Sequence, residues 1–173
     1  MSRLRRPFLY DRYFFVIVKF LASRHRLEER DYLRLAIALA RMRQKLRFAL
    51  TAWFFLPDHW HAIIYPPYPL SIAQAMSAIK VSSMVTINHG RHEKGKLWRE
   101  QFFDHAQRTV KDYAETVEYI HLNPVKRGMV KRPEEWKWSS FPEYAGGNTA
   151  EQKRQCGLTI DRVRFPADAK ARI

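Results

Sequence analysis

Two histidines separated by one residue, His59 and His61, carry the clearest chemical signal in this sequence. They lie in the segment Phe54–Ile64, whose aromatic and β-branched residues are typical of strands. Because residues i and i+2 of a strand point to the same face, both imidazoles should project together, with Trp60 on the opposite face. Two convergent imidazoles can hold a divalent metal ion, although an ordinary strand with two half-exposed histidines gives the same pattern.

A tyrosine and an asparagine on a predicted helix form a second candidate pair. The segment 110–122 has an apolar stripe at helical spacing that includes Tyr113, and this stripe should face the core. Tyr119 lies off the stripe and shares a face with Asn123, four residues later. A phenol can act as a nucleophile, and an amide oxygen can be a neutral metal ligand. The ordinary alternative is a tyrosine that packs at a helix edge and an asparagine that precedes a helix-stopping Pro124.

The predicted elements that position these side chains follow the order β-α-β-β-α-β-α. Aromatic and β-branched runs predict strands over residues 13–20, 48–56, 59–65 and 97–108. Apolar stripes at helical spacing predict helices over residues 31–45, 71–88 and 110–122, with Asp31 as the first N-cap. This order fits an α+β fold in which helices pack against a single sheet of antiparallel type. The histidines would then begin a central strand, directly after a tight turn at Pro57-Asp58.

The length of 173 residues suits one domain with a substantial core, and we expect that domain to span residues 1–145. Residues 125–144 are irregular but rich in aromatic side chains, which should pack back on the domain. These are Trp136, Trp138, Phe141 and Tyr144. Residues 146–173 are polar with little periodicity, so we expect a C-terminal tail that is either mobile or a short docking segment.

The charge balance indicates a polyanionic partner. The chain has 31 Lys and Arg against 17 Asp and Glu, a formal net charge of +14. Nucleic acid is the first candidate and an anionic membrane surface the second. No apolar run reaches roughly 18 residues and the N-terminus lacks a signal core, so we expect an intracellular, cytoplasmic protein without a membrane span. Cys156 is the only cysteine, which excludes an internal disulfide and a cysteine-rich zinc site.

The combination of these motifs resembles the single-tyrosine HUH transposases of the IS200/IS605 type, and most closely the REP-associated tyrosine transposases. The segments that carry the resemblance occur in the family's order: LPDHWH at 56–61, LWREQFFDH at 97–105, YIHLNPVKRG at 119–128 and WSSF at 138–141. The resemblance spans roughly residues 10–145 and leaves out the tail. It implies the HUH endonuclease fold and a bacterial protein that acts at the nucleoid.

The resemblance also implies a mechanism. His59 and His61 would be the metal-binding pair, Asn123 a third, amide-type ligand, and Tyr119 the nucleophile. Attack of the phenol oxygen on a DNA phosphorus would give a 5′-phosphotyrosine and a free 3′-OH, and the strand could then be rejoined without ATP. Because two imidazoles and an amide carry no charge, we expect Mg²⁺ or Mn²⁺ to bind weakly until a phosphate completes the shell.

The implied partner is single-stranded or hairpin DNA with REP-like palindromes, bound by a monomer or a dimer, with the monomer weakly favoured. Trp98 and Trp138 are candidates for stacking on bases, although core packing is the favoured role. Two other functions remain open: a domesticated, non-catalytic DNA-binding protein on the same fold, and an RNA-directed hydrolase that uses histidines as acid and base. The expected phosphate contacts are Arg5, Arg6, Arg12, Lys80, Arg99, Lys126 and Arg127.

Overall fold

A four-stranded antiparallel sheet forms the centre of the fold. The computed structural model describes residues 11–147, 150 and 156–163. Four strands, β1 to β4, lie in the spatial order β2-β3-β1-β4, and all neighbouring strands are antiparallel. The α+β prediction is therefore confirmed. The strands are β1 (Phe14–Lys19), β2 (Ala49–Phe55), β3 (His59–Tyr65) and β4 (Phe103–Ala106).

Three long helices cover the two faces of the sheet. Helices α1 (Glu29–Leu46) and α2 (Ile72–Arg91) pack on one face, where they bury the largest apolar cluster. Helix α3 (Val110–Lys126) packs on the other face over a smaller cluster, and a short helix α4 (Phe141–Tyr144) follows it. No helix among the residues that the structure describes combines the length and apolarity required to cross a membrane.

The alternation along β3 separates the core from the histidines, as the sequence predicts. Trp60 is fully buried in the cluster beneath α1 and α2. His61 points to the opposite face, where its ring contacts Phe54 and Phe15 at centroid distances of 4.5 and 5.4 Å. Both faces of β2 and β3 are buried, which explains why these two strands contain long apolar runs.

The predicted boundaries of α1, α2 and β4 are wrong. The N-cap of α1 is Glu28, not Asp31, because Asp31 at the third helical position accepts a hydrogen bond from the Glu28 backbone N–H in a reciprocal capping box. Helix α2 continues three residues beyond Asn88. The strand predicted over 97–108 exists only at Phe103–Ala106, although Trp98 forms an isolated bridge with Phe20.

Pro124 does not stop α3, contrary to the prediction. The helix extends to Lys126, and the Arg127 backbone N–H bonds to the Asn123 carbonyl at 3.0 Å. Proline removes only one donor from the ladder, and here that loss falls in the last turn of the helix. Pro124 and Asn123 are also buried, so packing on the sheet offsets the local penalty.

The outer edge of β2 is covered by the C-terminal part of the chain. The Phe55 N–H donates to the Trp138 carbonyl, and the Ser140 N–H donates to the Trp53 carbonyl, both at 2.9 Å. The expected packing of the late aromatic residues on the domain is thereby confirmed for Trp138, which is buried. This cover also protects an edge strand that would otherwise expose unpaired backbone groups.

Part of the predicted tail docks on the domain. The Asp161 N–H donates to the Leu50 carbonyl at 2.7 Å, and the Asp161 carboxylate pairs with Arg43 at 2.5 Å. Cys156 and Leu158 are buried. Residues 148–149, 151–155 and 164–173 of the tail lie outside the described residues, so the boundary at residue 145 stays a prediction.

A buried histidine at the junction of α3 and the C-terminal cover should make stability depend on pH. His121 forms a hydrogen bond with Ser140 Oγ at 2.9 Å, and burial lowers the pKa of His121 to about 4 from an ordinary 6.5. Between these two values the unfolded chain binds a proton at His121 and the folded chain does not. The free energy of unfolding therefore falls as the pH decreases from 6.5 towards 4. We expect this one group to remove about 3 kcal/mol over that range.

Urea unfolding at a series of pH values checks this expectation against His121→Gln, which keeps a hydrogen-bonding group but does not titrate. All other titrating groups are shared, so the difference between the two proteins isolates His121. Equal pH slopes for the two proteins would contradict the assignment.

Candidate active site

The two histidines are the first and third residues of β3, which begins immediately after the turn at Pro57-Asp58. Their side chains lie on the face covered by α3, with ring centroids 4.8 Å apart. His59 is opposite Lys19 of β1 and His61 is opposite Ile17. Only 5% of His59 and 1% of His61 is exposed. The strand periodicity therefore brings both imidazoles together, as predicted.

The environment keeps both imidazoles neutral. Burial lowers the pKa of His59, and a hydrogen bond to Asp58 opposes this shift only in part. Burial also holds the pKa of His61 well below its ordinary value, and the nearby positive charges of Arg127 and Lys19 act in the same direction. Both ring nitrogens of His61 are buried without a hydrogen-bond partner among the described residues. Neutral imidazoles with unused nitrogens are the form that binds metal ions.

Tyr119 of α3 lies over this pair. Its ring centroid is 5.8 Å from that of His61 and 5.9 Å from that of Phe15, which it meets edge to face. The side chain stays 39% exposed, in contrast to Tyr113 on the buried stripe of the same helix. The Lys126 ammonium lies 5.7 Å from the Tyr119 ring centroid, within the range of a cation–π contact.

A basic cavity of about 470 Å³ joins the histidines to Tyr119. Asp58, at the end of the preceding turn, is its one acidic side chain among the lining residues that the structure describes. Two of the predicted phosphate-binding residues, Arg99 and Arg127, lie in its wall. The other cations in the wall are Lys19, Arg24 and Arg26. Sequence reasoning missed them because their positions at the cavity depend on the β1 register and on the path of the loop that follows β1.

Asp58 links the histidine strand to the tyrosine helix. His59 Nδ1–H donates to Asp58 Oδ1 at 2.6 Å, and Asp58 Oδ2 lies 3.9 Å from an Arg127 guanidinium nitrogen. Arg127 Nε in turn donates to Asn123 Oδ1 at 3.1 Å. Burial alone would raise the pKa of Asp58, but the hydrogen bond from His59 and the nearby charge of Arg127 keep it below the ordinary value. The sequence indicated only a turn residue at Asp58.

Comparison with known proteins assigns the family. A family model described as "Transposase IS200 like" matches residues 9–123. The chain belongs to the IS200-like transposase family. It is 32% identical over 142 residues to the REP-associated tyrosine transposase of Escherichia coli (strain K12), which covers 82% of this chain and 83% of that relative. A Haemophilus influenzae protein assigned by name to the same group is 31% identical over 169 residues, covering 86% of this chain and 95% of the relative.

A solved structure extends the similarity to the whole fold. The structure of a REP-associated tyrosine transposase bound to a REP hairpin superposes with a TM-score of 0.72 at 29% identity, and 96% of each chain is covered. The resemblance drawn from the histidine and tyrosine motifs is therefore confirmed, as is the predicted α+β architecture of this IS200-like chain.

The remaining predicted contact residues of the IS200-like chain have different surroundings. The Lys80 ammonium donates to the backbone carbonyls of Arg99 and Glu100, both at 2.7 Å, so it supports the loop that carries Arg99. Arg12 is exposed just before β1, at the opposite end of that strand from Lys19. Arg5 and Arg6 lie outside the described residues.

The candidate ligand side chains of this family member fit a divalent metal ion, provided that groups outside the chain supply the remaining ligands. Within residues 11–147, 150 and 156–163, no three His, Cys, Asp or Glu side chains are close enough to hold a metal ion together. Two neutral imidazoles, one with unused nitrogens, remain as candidate ligands. Asn123 is buried and its amide oxygen already accepts from Arg127, although a carbonyl oxygen has a second lone pair.

The Asp58–His59 contact should determine metal affinity. A carboxylate on Nδ1 directs the other nitrogen outwards and makes it a better donor, and loss of such a partner typically weakens metal binding about 10- to 100-fold. We expect Asp58→Ala to show this loss when Mn²⁺ binding is measured by calorimetry. The Mn²⁺ affinity of Asp58→Asn, which keeps an oxygen acceptor, should lie between those of Asp58→Ala and the unmodified chain. Equal affinities for Asp58→Ala and the unmodified chain would rule out this role.

Proposed function

We propose that this chain cleaves and rejoins single strands of DNA, with Tyr119 as the nucleophile. The phenol oxygen attacks a phosphodiester phosphorus and forms an O–P bond while the bond to the 3′-oxygen breaks. The phenol proton leaves, the 3′-oxygen gains a proton, and a 5′-phosphotyrosine remains. The observation that carries this proposal is the approach of a half-exposed Tyr119 to the buried imidazole of His61, at a centroid distance of 5.8 Å.

The cations around the cavity suit the charge of the reaction. A phosphodiester brings one negative charge, and more charge gathers on its oxygens as the phenol oxygen attacks. Arg99, Arg127 and Lys19 line the cavity in which that phosphate would lie. The Lys126 ammonium lies over the Tyr119 ring in the cation–π contact. These side chains would orient the phosphate and stabilise its transition state.

Mg²⁺ or Mn²⁺ held by His59 and His61, with Asn123 as the proposed third ligand, would polarise a phosphate oxygen and stabilise the negative charge of the transition state. The neutral state of both imidazoles supports this role, because protonated histidine cannot ligate. The Asp58 carboxylate then fixes which nitrogen of His59 is available.

A DNA hairpin with a short adjacent single strand is the proposed substrate. The net charge of +14 and the basic cavity support a polyanionic partner. The relative of known structure is bound to a REP hairpin, which supports hairpin-forming repeats for this chain as well. Helix α3 packs on the sheet of its own chain through Tyr113, Val117 and Ile120. This packing supports a nucleophile that acts in cis, so a monomer would contain a complete site.

Denaturing electrophoresis tests the function. Single-stranded DNA that carries a palindrome from near the gene is labelled at its 3′ end and incubated with the protein and Mn²⁺. We expect a labelled species at the combined mass of protein and DNA, and its loss in EDTA. Tight hairpin binding without this species, over several palindromes and in both metals, would favour the non-catalytic DNA-binding protein. Cleavage of an RNA strand of the same sequence in EDTA, without an adduct, would favour the hydrolase.

A further inference from the structure

Helix α3 covers only half of the sheet face on which Tyr119 lies. Its apolar side chains pack on β2 and β3 through Phe54 and Ile63, and on Phe15 of β1. Beyond Phe15, the part of the chain that the structure describes leaves Phe103 and His105 of β4 exposed on this face. Strand β4 pairs with β1 so that Phe103 lies opposite Ile17, and both side chains point to the Tyr119 face.

Phe103 is an exposed aromatic residue that is separated from the proposed nucleophile by one ring, that of Phe15. It is 54% exposed, and its ring meets Phe15 edge to face at a centroid distance of 6.2 Å. Phe15 meets Tyr119 in the same way. An aromatic row therefore runs from the open half of the sheet to Tyr119. The sequence candidates for base stacking, Trp98 and Trp138, are instead buried in the core, where Trp98 donates to Ser83.

The charges near this row suit a nucleic-acid backbone. Lys19 follows Ile17 by two residues on the same face of β1, and the Arg99 N–H donates to the Lys19 carbonyl at 2.9 Å. Both side chains are exposed and line the cavity. At the other end of the open face, His105 lies 3.5 Å from the Asp112 carboxylate. Lys19 and Arg99 thus lie at the end of β1 that is next to the histidines.

We infer that Phe103 is the stacking platform for an unpaired base next to the attacked phosphate, with Lys19 and Arg99 on the adjoining backbone. An open sheet face with exposed aromatic rings binds single strands, since the faces of their bases are accessible. A base inside a duplex has no free face, so the platform selects single-stranded DNA. This inference rests on the proposed function, because it places the single strand beside the Tyr119 site.

Equilibrium binding of two DNA probes tests the platform. One probe is the hairpin alone, and the other is the same hairpin with a short single-stranded flank, tested on either side of the stem. Fluorescence anisotropy in EDTA measures affinity without cleavage. We expect Phe103→Ala to weaken binding of the flanked hairpin about 5- to 150-fold and to leave the bare hairpin unchanged. Phe103→Trp should retain the affinity for the flanked hairpin.

The matched control is Tyr68→Ala, which removes another exposed aromatic ring. Tyr68 is 69% exposed in the loop after β3, at the end of that strand opposite the histidines. The Tyr68→Ala variant should bind both probes with the affinity of the unmodified chain. A scan with 2-aminopurine along the flank should find one position whose fluorescence changes on binding, and Phe103→Ala should abolish that change.

Three outcomes would overturn the platform. Phe103→Ala could bind the flanked hairpin as tightly as the unmodified chain, or it could weaken both probes equally, which would indicate a general structural effect. Unchanged binding together with a shift from dimer to monomer in sedimentation would instead assign the open face to a second copy of the chain. Adduct formation by the unmodified chain is measured separately, so failure of the platform is distinguishable from failure of the proposed function.

Discussion

Replacement of Tyr119 by phenylalanine is expected to abolish the covalent protein–DNA adduct, with a loss of at least about 10³-fold. The substitution removes only the phenol oxygen. The ring keeps its edge-to-face contact with Phe15 and its cation–π contact with Lys126. Hairpin affinity should therefore change by less than about twofold, because no stacking or phosphate contact is removed. Gel electrophoresis of the labelled adduct and anisotropy on the same preparation measure the two effects together.

Tyr113→Phe is the matched control on the same helix. Tyr113 is buried, and its hydroxyl forms a hydrogen bond with that of Tyr144 at 2.9 Å. Loss of this bond should lower the free energy of unfolding by about 1 kcal/mol while adduct formation continues. An adduct of full yield from Tyr119→Phe would assign the nucleophile to another residue, which peptide mapping of the adduct would identify.

The second large effect is expected at His61, where function and stability should change in opposite directions. His61→Phe removes two buried nitrogens that have no partner among the described residues and keeps a ring among the aromatic side chains of Phe54 and Phe15. A buried polar group without a hydrogen bond costs about 1–3 kcal/mol. In EDTA, the variant should therefore be more stable in urea than the unmodified chain by about that amount.

Strand cleavage by His61→Phe should fall by more than about 100-fold. Loss of a carboxylate that supports a metal-binding histidine weakens metal binding by up to about 100-fold, and loss of the proposed metal ligand itself should have a larger effect. Mn²⁺ should stabilise the unmodified chain, by about 2.7 kcal/mol at one hundred times its dissociation constant, and should not stabilise the variant. Urea unfolding with and without Mn²⁺ measures this difference. Equal stabilisation of both proteins by Mn²⁺ would show that His61 is not a ligand.

Such opposed effects are expected where a site keeps groups that the fold alone does not need. The surroundings of His61 are those of a core position, with 1% of the residue exposed and aromatic rings on two sides. An imidazole there lowers stability in the absence of a ligand. Packing alone does not require an imidazole at this position, and the proposed metal binding would account for it.

The sequence by itself determined the features that depend on short repeats along the chain. The period of two placed His59 and His61 on one face and Trp60 in the core, and the period of 3.6 separated Tyr119 from the buried Tyr113. The order of elements and the α+β class followed from these same local patterns, and the family resemblance rested on four short motifs that occur in the family's order. Local rules were wrong at Pro124 and Asp31, because burial and a reciprocal cap outweighed single-residue preferences.

Only the tertiary structure decided which distant residues meet. Packing of α3 on β2 and β3 brings Tyr119 to His61, and the β1–β3 register brings Lys19 beside His59. The same packing leaves Phe103 uncovered and places Arg127 between Asp58 and Asn123. These contacts depend on strand register and on how far a helix extends across a sheet. Local periodicity does not encode those quantities, because the same hydrophobic pattern is satisfied by several registers and crossing positions.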